Sequence, residues 1–288
     1  MSLLSFVVWE FRPVRAGELI GGRRGIVRTV ATMNDAVALH HEVTGPDDGH
    51  VVLLGSSLGT TLAMWDAQVG PLSERLRVVR FDHRGHGRSP VPPGPYAIAD
   101  LGGDVLALLD TLGVERASYC GISIGAMVGI WLGAHAPERI ARLVLLCTAA
   151  QLPSEPWIER AAAVEQAGST EVVADTVVGR WLTPEYARAR PEALTALRAM
   201  LVASPPAGYV ACCRSIERMD LRAELPRIQA PTLVVAGAQD LATPPEHTER
   251  IAAAIPGARL EVLSPSAHLA AVERASDVTR LILEHLSG

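Results

Sequence analysis

The feature that most constrains this chain is a recurring alternation of short apolar runs with helical stretches. Residues 51–54, 78–81, 117–120, 143–147, 232–236 and 260–263 are runs of four or five residues dominated by Val, Leu, Ile and Ala. Runs this short fit strands buried on both faces of a parallel sheet. Between two of them, Leu101, Val105, Leu108, Leu109 and Leu112 recur at helical spacing, with Asp104 and Asp110 read onto the opposite, polar face. Strand and helix in alternation predict a doubly wound α/β sheet.

Two regions depart from this rhythm. Residues 27–32 and 36–43 read as a strand pair joined at Asn34-Asp35, a hairpin signal. Upstream, residues 1–25 end in Gly21-Gly22-Arg23-Arg24-Gly25 and are expected to be a poorly ordered extension outside the folded unit. Residues 151–228 are helical in pattern and punctuated by Pro153, Pro156, Pro184, Pro191, Pro205 and Pro206. A helical insertion between two parallel strands stands over the crevice at their carboxyl ends, where such sheets bind ligands. The expected organisation is therefore a core of residues 26–150 and 229–288 with a lid of 151–228.

Composition removes several chemistries. All 26 basic residues are arginine. A Schiff-base lysine, a Ser–Lys dyad, a Walker-type phosphate loop and a pyridoxal phosphate tether are thereby excluded. The net charge of −5 offers no footprint for nucleic acid or an anionic membrane. Cys120, Cys147, Cys212 and Cys213 form no C-x-x-C pair and are too few for a disulfide scaffold. Residues 1–9 lack the basic start of a signal peptide, and no run of 18 apolar residues occurs. A reduced, cytoplasmic protein is expected.

Two segments match G-x-S-x-G: Gly55-Ser56-Ser57-Leu58-Gly59 and Gly121-Ile122-Ser123-Ile124-Gly125. The motif carries a nucleophile only as a sharp turn between a strand and a helix. The second has that setting, with residues 117–120 entering and the small-residue helix from Gly125 leaving, so Ser123 is the candidate nucleophile. Ser57 precedes a looser Thr60-Thr61 and Trp65-Asp66 stretch. A serine needs a base. His83 and His86 occupy a turn before Ser123 and lack a metal ligand set. His40, His41 and His50 belong to the first strands, His135 to the helix after Ser123, and His247 and His285 to exposed-looking helices. His268 follows the last strand run, at the same rim as Ser123. Asp240, after residues 232–236, supplies the carboxylate, with Asp82 as the competing acid. The order Ser123, Asp240, His268 is that of the α/β-hydrolase fold. In that arrangement, the backbone N–H groups of Leu58 and Ile124 form the oxyanion hole. No metal or cofactor is expected, and a small molecule is the expected partner, with homo-oligomerisation left open.

From about Val27 onward the chain resembles the 3-oxoadipate enol-lactonases. Matching stretches are Ser57-Leu58-Gly59-Thr60 with Met64-Trp65-Asp66, the elbow, Cys147-Thr148-Ala149-Ala150, and Arg180-Trp181-Leu182-Thr183-Pro184. Gly208-Tyr209-Val210 with Cys213, residues 240–245, and Ala267-His268-Leu269 with Val272-Glu273 complete them. The elbow departs from the family in having Ile-Ser-Ile-Gly-Ala. The resemblance implies hydrolysis of a carboxymethyl-bearing enol-lactone to 3-oxoadipate; a paralogous esterase, a cofactor-free perhydrolase or a C–C bond hydrolase would use the same three residues, and a non-catalytic ligand-binding α/β-hydrolase is the alternative that their joint presence argues against. An anionic substrate in a lysine-free chain needs arginine, backbone amides or a helix N-terminus. Arg160 beside Trp157 is the candidate pair.

Overall fold

A computed structural model describes residues 36–287. The strands are β1 (His41–Thr44), β2 (His50–Gly55), β3 (Leu76–Phe81), β4 (Ala117–Ile122), β5 (Ile140–Leu146), β6 (Thr232–Gly237) and β7 (Arg259–Leu263). They form one sheet in the order β1-β3-β2-β4-β5-β6-β7. Only the β1–β3 pairing is antiparallel; the other five are parallel. The central strands are buried along their whole length, as their unalternating apolar sequence requires.

Helices α1 (Asp66–Ser73), α2 (Ile98–Thr111), α3 (Ile124–His135), α9 (Pro245–Ala254), α10 (Ala270–Glu273) and α11 (Ala275–Ser287) belong with the sheet. Between β5 and β6 the chain instead makes five helices: α4 (Glu155–Ala167), α5 (Glu171–Val178), α6 (Pro184–Ala189), α7 (Pro191–Val202) and α8 (Pro206–Arg218). Proline within the first turn starts four of them, where its missing N–H costs nothing. Among the described residues, no single helix is long and apolar enough to cross a membrane.

Five expectations need correction, and two lie outside the described residues. The first strand is shorter than 36–43, because side chains take its early N–H groups. Val37 N–H donates to Asp104 Oδ1 at 2.8 Å and His40 N–H to Ser89 Oγ at 2.9 Å, leaving ladder pairing only from His41. The other half of the expected hairpin, residues 27–32, lies outside the described residues, as does the extension 1–25. The run 143–147 ends as strand at Leu146, since Cys147 takes a positive φ of 43°. β7 is an edge strand, with Leu260 and Val262 partly exposed rather than enclosed. His285 is buried, its Nε2 3.1 Å from the Pro231 carbonyl, because α11 turns that residue onto the sheet.

Asp104 also departs from the helical wheel. It is buried on α2 and receives Arg84 in a two-bond fork, Nε to Oδ2 and Nη2 to Oδ1, each 2.6 Å. Arg84 lies in the turn after β3, with its guanidinium 5.4 Å from the Tyr96 ring centre. The pair therefore locks the His83–His86 turn to α2. Breaking a fully buried pair strands a charge, at a cost of about 3–5 kcal/mol. Asp104→Ala is expected to lower unfolding free energy by that amount in urea titrations. A loss below about 1 kcal/mol would remove Arg84 from its anchoring role.

Candidate active site

The elbow at Ser123 is built by close backbone approach. β4 runs straight into α3, and Ser123 at the junction has φ 57° and ψ −121°, an unfavourable conformation for a residue with a side chain. The space around it admits no extra atoms. A Cβ on Gly125 would lie 2.4 Å from the Gly55 carbonyl oxygen, and one on Gly121 would lie 2.4 Å from the Gly125 carbonyl. Ser123 N–H donates to Leu146 O at 3.0 Å, and the Thr148 hydroxyl donates to Ser123 O at 2.9 Å. The turn is thus held from both sides.

Asp240 and His268 come from the loops after β6 and β7. Asp240 Oδ2 lies 2.8 Å from His268 Nδ1, and both side chains are buried. Its other contacts are the N–H groups of Ala242 and Thr243 on Oδ1, and the Thr243 hydroxyl on Oδ2 at 2.8 Å. Burial disfavours the carboxylate, but the His268 ring and the Thr243 donors outweigh it and hold its pKa below the ordinary value. The two loops are stitched together by Gln239, whose N–H donates to Ser266 O and whose Oε1 accepts from Ser266 N–H. Among the described residues no hydrogen bond joins Ser123 to His268, a contact that commonly tightens only with substrate.

The Ser57–Thr60 loop presents one N–H to the cavity by committing its neighbours elsewhere. Ser57 N–H goes to Met64 Sδ, Thr60 N–H to Ser57 O, and Gly59 N–H to His86 Nε2 at 3.0 Å. The N–H groups of Leu58 and Ile124 donate to no acceptor among the described residues. His86 is therefore neither base nor metal ligand: with Nδ1 toward the Arg84 carbonyl, its Nε2 lone pair orients the loop. Sequence alone left that role unassigned. Asp82, the competing acid, accepts from Leu62 N–H and Arg88 N–H and is occupied as a loop anchor.

Ser123, His268, Leu58 and Ser57 line one cavity of about 130 Å³, roofed by residues of the helical insertion. Trp157 and Arg160 are there as expected, the guanidinium 4.5 Å from the indole centre. Arg180, Trp181 and Tyr209 line it too and were not singled out as site residues; only their place in the family-like stretches pointed to them. Arg160 and Arg180 form no ion pair among the described residues. The insertion is tied to the His268 loop by Leu269 N–H donating to Trp181 O at 2.8 Å. Glu273 adds to this by accepting from Thr183 Oγ1 and from Ala267 N–H.

Acid should undo part of this arrangement. Burial, and then the neighbouring His86, lower the His83 pKa to about 3, and burial lowers that of His86 as well. Below the unfolded value near 6.5 the unfolded chain binds protons that the folded chain refuses, so stability falls as pH drops from about 6.5 toward 3. The His83 ring should contribute about 1.4 kcal/mol per pH unit over that range, and His86 acts in the same direction. Urea midpoints at pH 7 and 5 should show this loss, reduced in His83→Asn. Equal midpoints for the native chain would contradict it.

Comparison with known proteins agrees with this architecture. The alpha/beta hydrolase fold family model matches residues 49–275. The 3-oxoadipate enol-lactonase 2 of Acinetobacter baylyi is 39% identical over 239 residues, covering 83% of this chain and 89% of the relative. The crystal structure of the enol-lactonase from Burkholderia xenovorans LB400 is 40% identical, with a TM-score of 0.85, covering 87% of this chain and 96% of that one. A thermophilic esterase from Thermogutta terrifontis, solved with malate bound, is 30% identical with a TM-score of 0.81, covering 86% and 93%. The chain belongs to the 3-oxoadipate enol-lactonase family within the alpha/beta hydrolases.

Proposed function

We propose that this protein opens 3-oxoadipate enol-lactone to 3-oxoadipate through an acyl-enzyme on Ser123. The observation that carries the reading is one small cavity lined by Ser123 and His268 on one side and by two arginines without carboxylate partners on the other. A neutral-ester hydrolase has no need of unpaired guanidinium groups beside its nucleophile. An enol-lactone bearing a carboxylate does. The esterase relative solved with malate, a carboxylate-bearing molecule, fits the same reading.

In this account the Ser123 hydroxyl attacks the lactone carbonyl as its proton passes to His268 Nε2. Asp240, at Nδ1, holds the ring in position and favours its charged form. The oxyanion is received by the N–H groups of Leu58 and Ile124. Collapse breaks the ring C–O bond, and the proton on His268 goes to the departing enol oxygen. Because the substrate is cyclic, that enol stays attached to the acyl group and tautomerises to the ketone. Water, deprotonated by His268, then cleaves the acyl ester, and the proton returns to Ser123. Helices α4–α8 act as a lid that excludes bulk water and carries the carboxylate site, with Arg160 as the principal cation. The cytoplasm is the compartment assigned here, supported by four free, buried cysteines.

Ser123→Ala should abolish turnover, while Ser57→Ala should keep a substantial fraction, since that loop contributes a backbone N–H. Asp240→Asn should fold normally and lose about 10⁴-fold in kcat. The substrate assignment is tested by comparing the enol-lactone with its neutral methyl ester. A hydrogen bond to a charged group contributes about 1.5–3 kcal/mol, so kcat/KM should fall roughly ten- to a hundredfold for the ester. In Arg160→Ala the two substrates should converge. Faster turnover of the neutral ester by the native enzyme would instead mark a general esterase.

A further inference from the structure

One polar atom inside the cavity has no use in that mechanism. Tyr209, near the start of α8, is fully buried and lines the cavity. Its hydroxyl proton finds no acceptor among the described residues, and the Arg160 guanidinium beside it can only donate to its oxygen. Buried hydroxyl groups are rarely left so, because an unmade hydrogen bond costs the full price of desolvation. The chain has four tyrosines, and it satisfies the other three with its own carbonyls. Tyr96 donates to Pro92 O at 2.6 Å, Tyr119 to Gly125 O at 2.9 Å and Tyr186 to Val272 O at 3.2 Å. The exception is the one that faces the reaction space.

Tyr209 is also firmly placed. Gly208 lies so close to Gly85 that a Cβ there would sit 2.3 Å from the Gly85 carbonyl oxygen. The Tyr209 ring edge rests against Gly59, where a Cβ would lie 3.2 Å from Cε2. The phenol is thereby keyed to both the His83–His86 turn and the loop that carries Leu58. Burial raises its pKa, and the Arg160 guanidinium beside it pulls in the opposite direction. A guanidinium offers donors only, so Arg160 leaves the phenolic proton without an acceptor. A cation without an anion and a donor without an acceptor meet at one point of the wall.

We propose that Tyr209 is a specificity-determining residue whose hydroxyl donates to the substrate carboxylate that Arg160 neutralises. This rests on the carboxylate-recognising reading of the cavity given above. The hydroxyl adds direction to what a guanidinium alone gives mainly as charge. A short O–H···O⁻ bond fixes one carboxylate oxygen, and with it the angle at which the lactone carbonyl meets Ser123. A neutral ester at the same place is a poorer acceptor, so the discrimination falls on charge rather than on size.

Tyr209→Phe removes the hydroxyl and keeps the ring packing. Its kcat/KM should be measured on the enol-lactone and its methyl ester, and on the p-nitrophenyl hemiester of glutaric acid against p-nitrophenyl butyrate. Adipate serves as a competitive inhibitor. Both carboxylate-bearing substrates should lose roughly ten- to a hundredfold, and adipate should weaken comparably, while the neutral pair changes less than about threefold. The Tm should change little, because the variant keeps the ring packing and loses a hydroxyl whose proton has no acceptor among the described residues. Equal losses on charged and neutral substrates would reduce Tyr209 to a packing element, and no loss on either would also overturn the proposal. If the native enzyme ignores the enol-lactone yet prefers the hemiester, and Tyr209→Phe erases that preference, the lactone assignment fails and the role of Tyr209 stands. If the native enzyme prefers the charged substrates and the variant keeps that preference undiminished, the role of Tyr209 fails alone.

Discussion

The site depends on a place where three stretches of backbone meet too closely for side chains of their own. Gly55 ends β2, Gly121 lies near the end of β4, and Gly125 lies in the first turn of α3. At each, a single methyl group would overlap a neighbouring carbonyl or, at Gly55, the Tyr119 hydroxyl. That closeness allows a strand to turn into a helix within one residue and holds Ser123 in a conformation it would not choose. It also brings the loop after β2 against the start of α3, so that two uncommitted N–H groups, those of Leu58 and Ile124, flank the serine. The candidate nucleophile and the candidate oxyanion donors are thus placed by one contact.

Around that point, buried polar groups fix geometry by mutual commitment. Asp82 is filled by Leu62 and Arg88, Asp240 by Ala242, Thr243 and His268, and the Arg84 fork is closed on Asp104. Each is a buried charge with its partners in place, the condition under which such groups are tolerated. Arg160, Arg180 and Tyr209 are the contrast: among the described residues the two arginines at the cavity wall meet no carboxylate, and the Tyr209 proton meets no acceptor. Structure and reactivity are thus separated by which polar groups the fold satisfies for itself.

Much of this was legible in the sequence because it is local. Six short apolar runs mapped onto the parallel strands, and the flanking strand and small-residue helix separated Ser123 from Ser57. The rim position of His268 and Asp240 followed from their placement just after strands. What was not legible depends on contacts across the fold. The first strand was overestimated because Asp104 and Ser89, distant in sequence, intercept its N–H groups. Asp104 itself looked solvent-facing on the helical wheel, since its partner Arg84 comes from another element. The edge position of β7 depends on strand order, which periodicity does not encode. Tyr209 sits in a helix whose apolar pattern says that it packs, and Arg180 in the turn after another, but the pattern does not say which residues turn inward to the cavity.

The central claim is that Ser123, activated by His268, is the nucleophile. Treatment with a fluorophosphonate, followed by peptide mass spectrometry, tests it without any assumption about substrate. The account predicts a single phosphonyl adduct on Ser123 in the native enzyme, and its near-complete loss in His268→Ala. An adduct on Ser57, or labelling of Ser123 at an undiminished rate in His268→Ala, would contradict it.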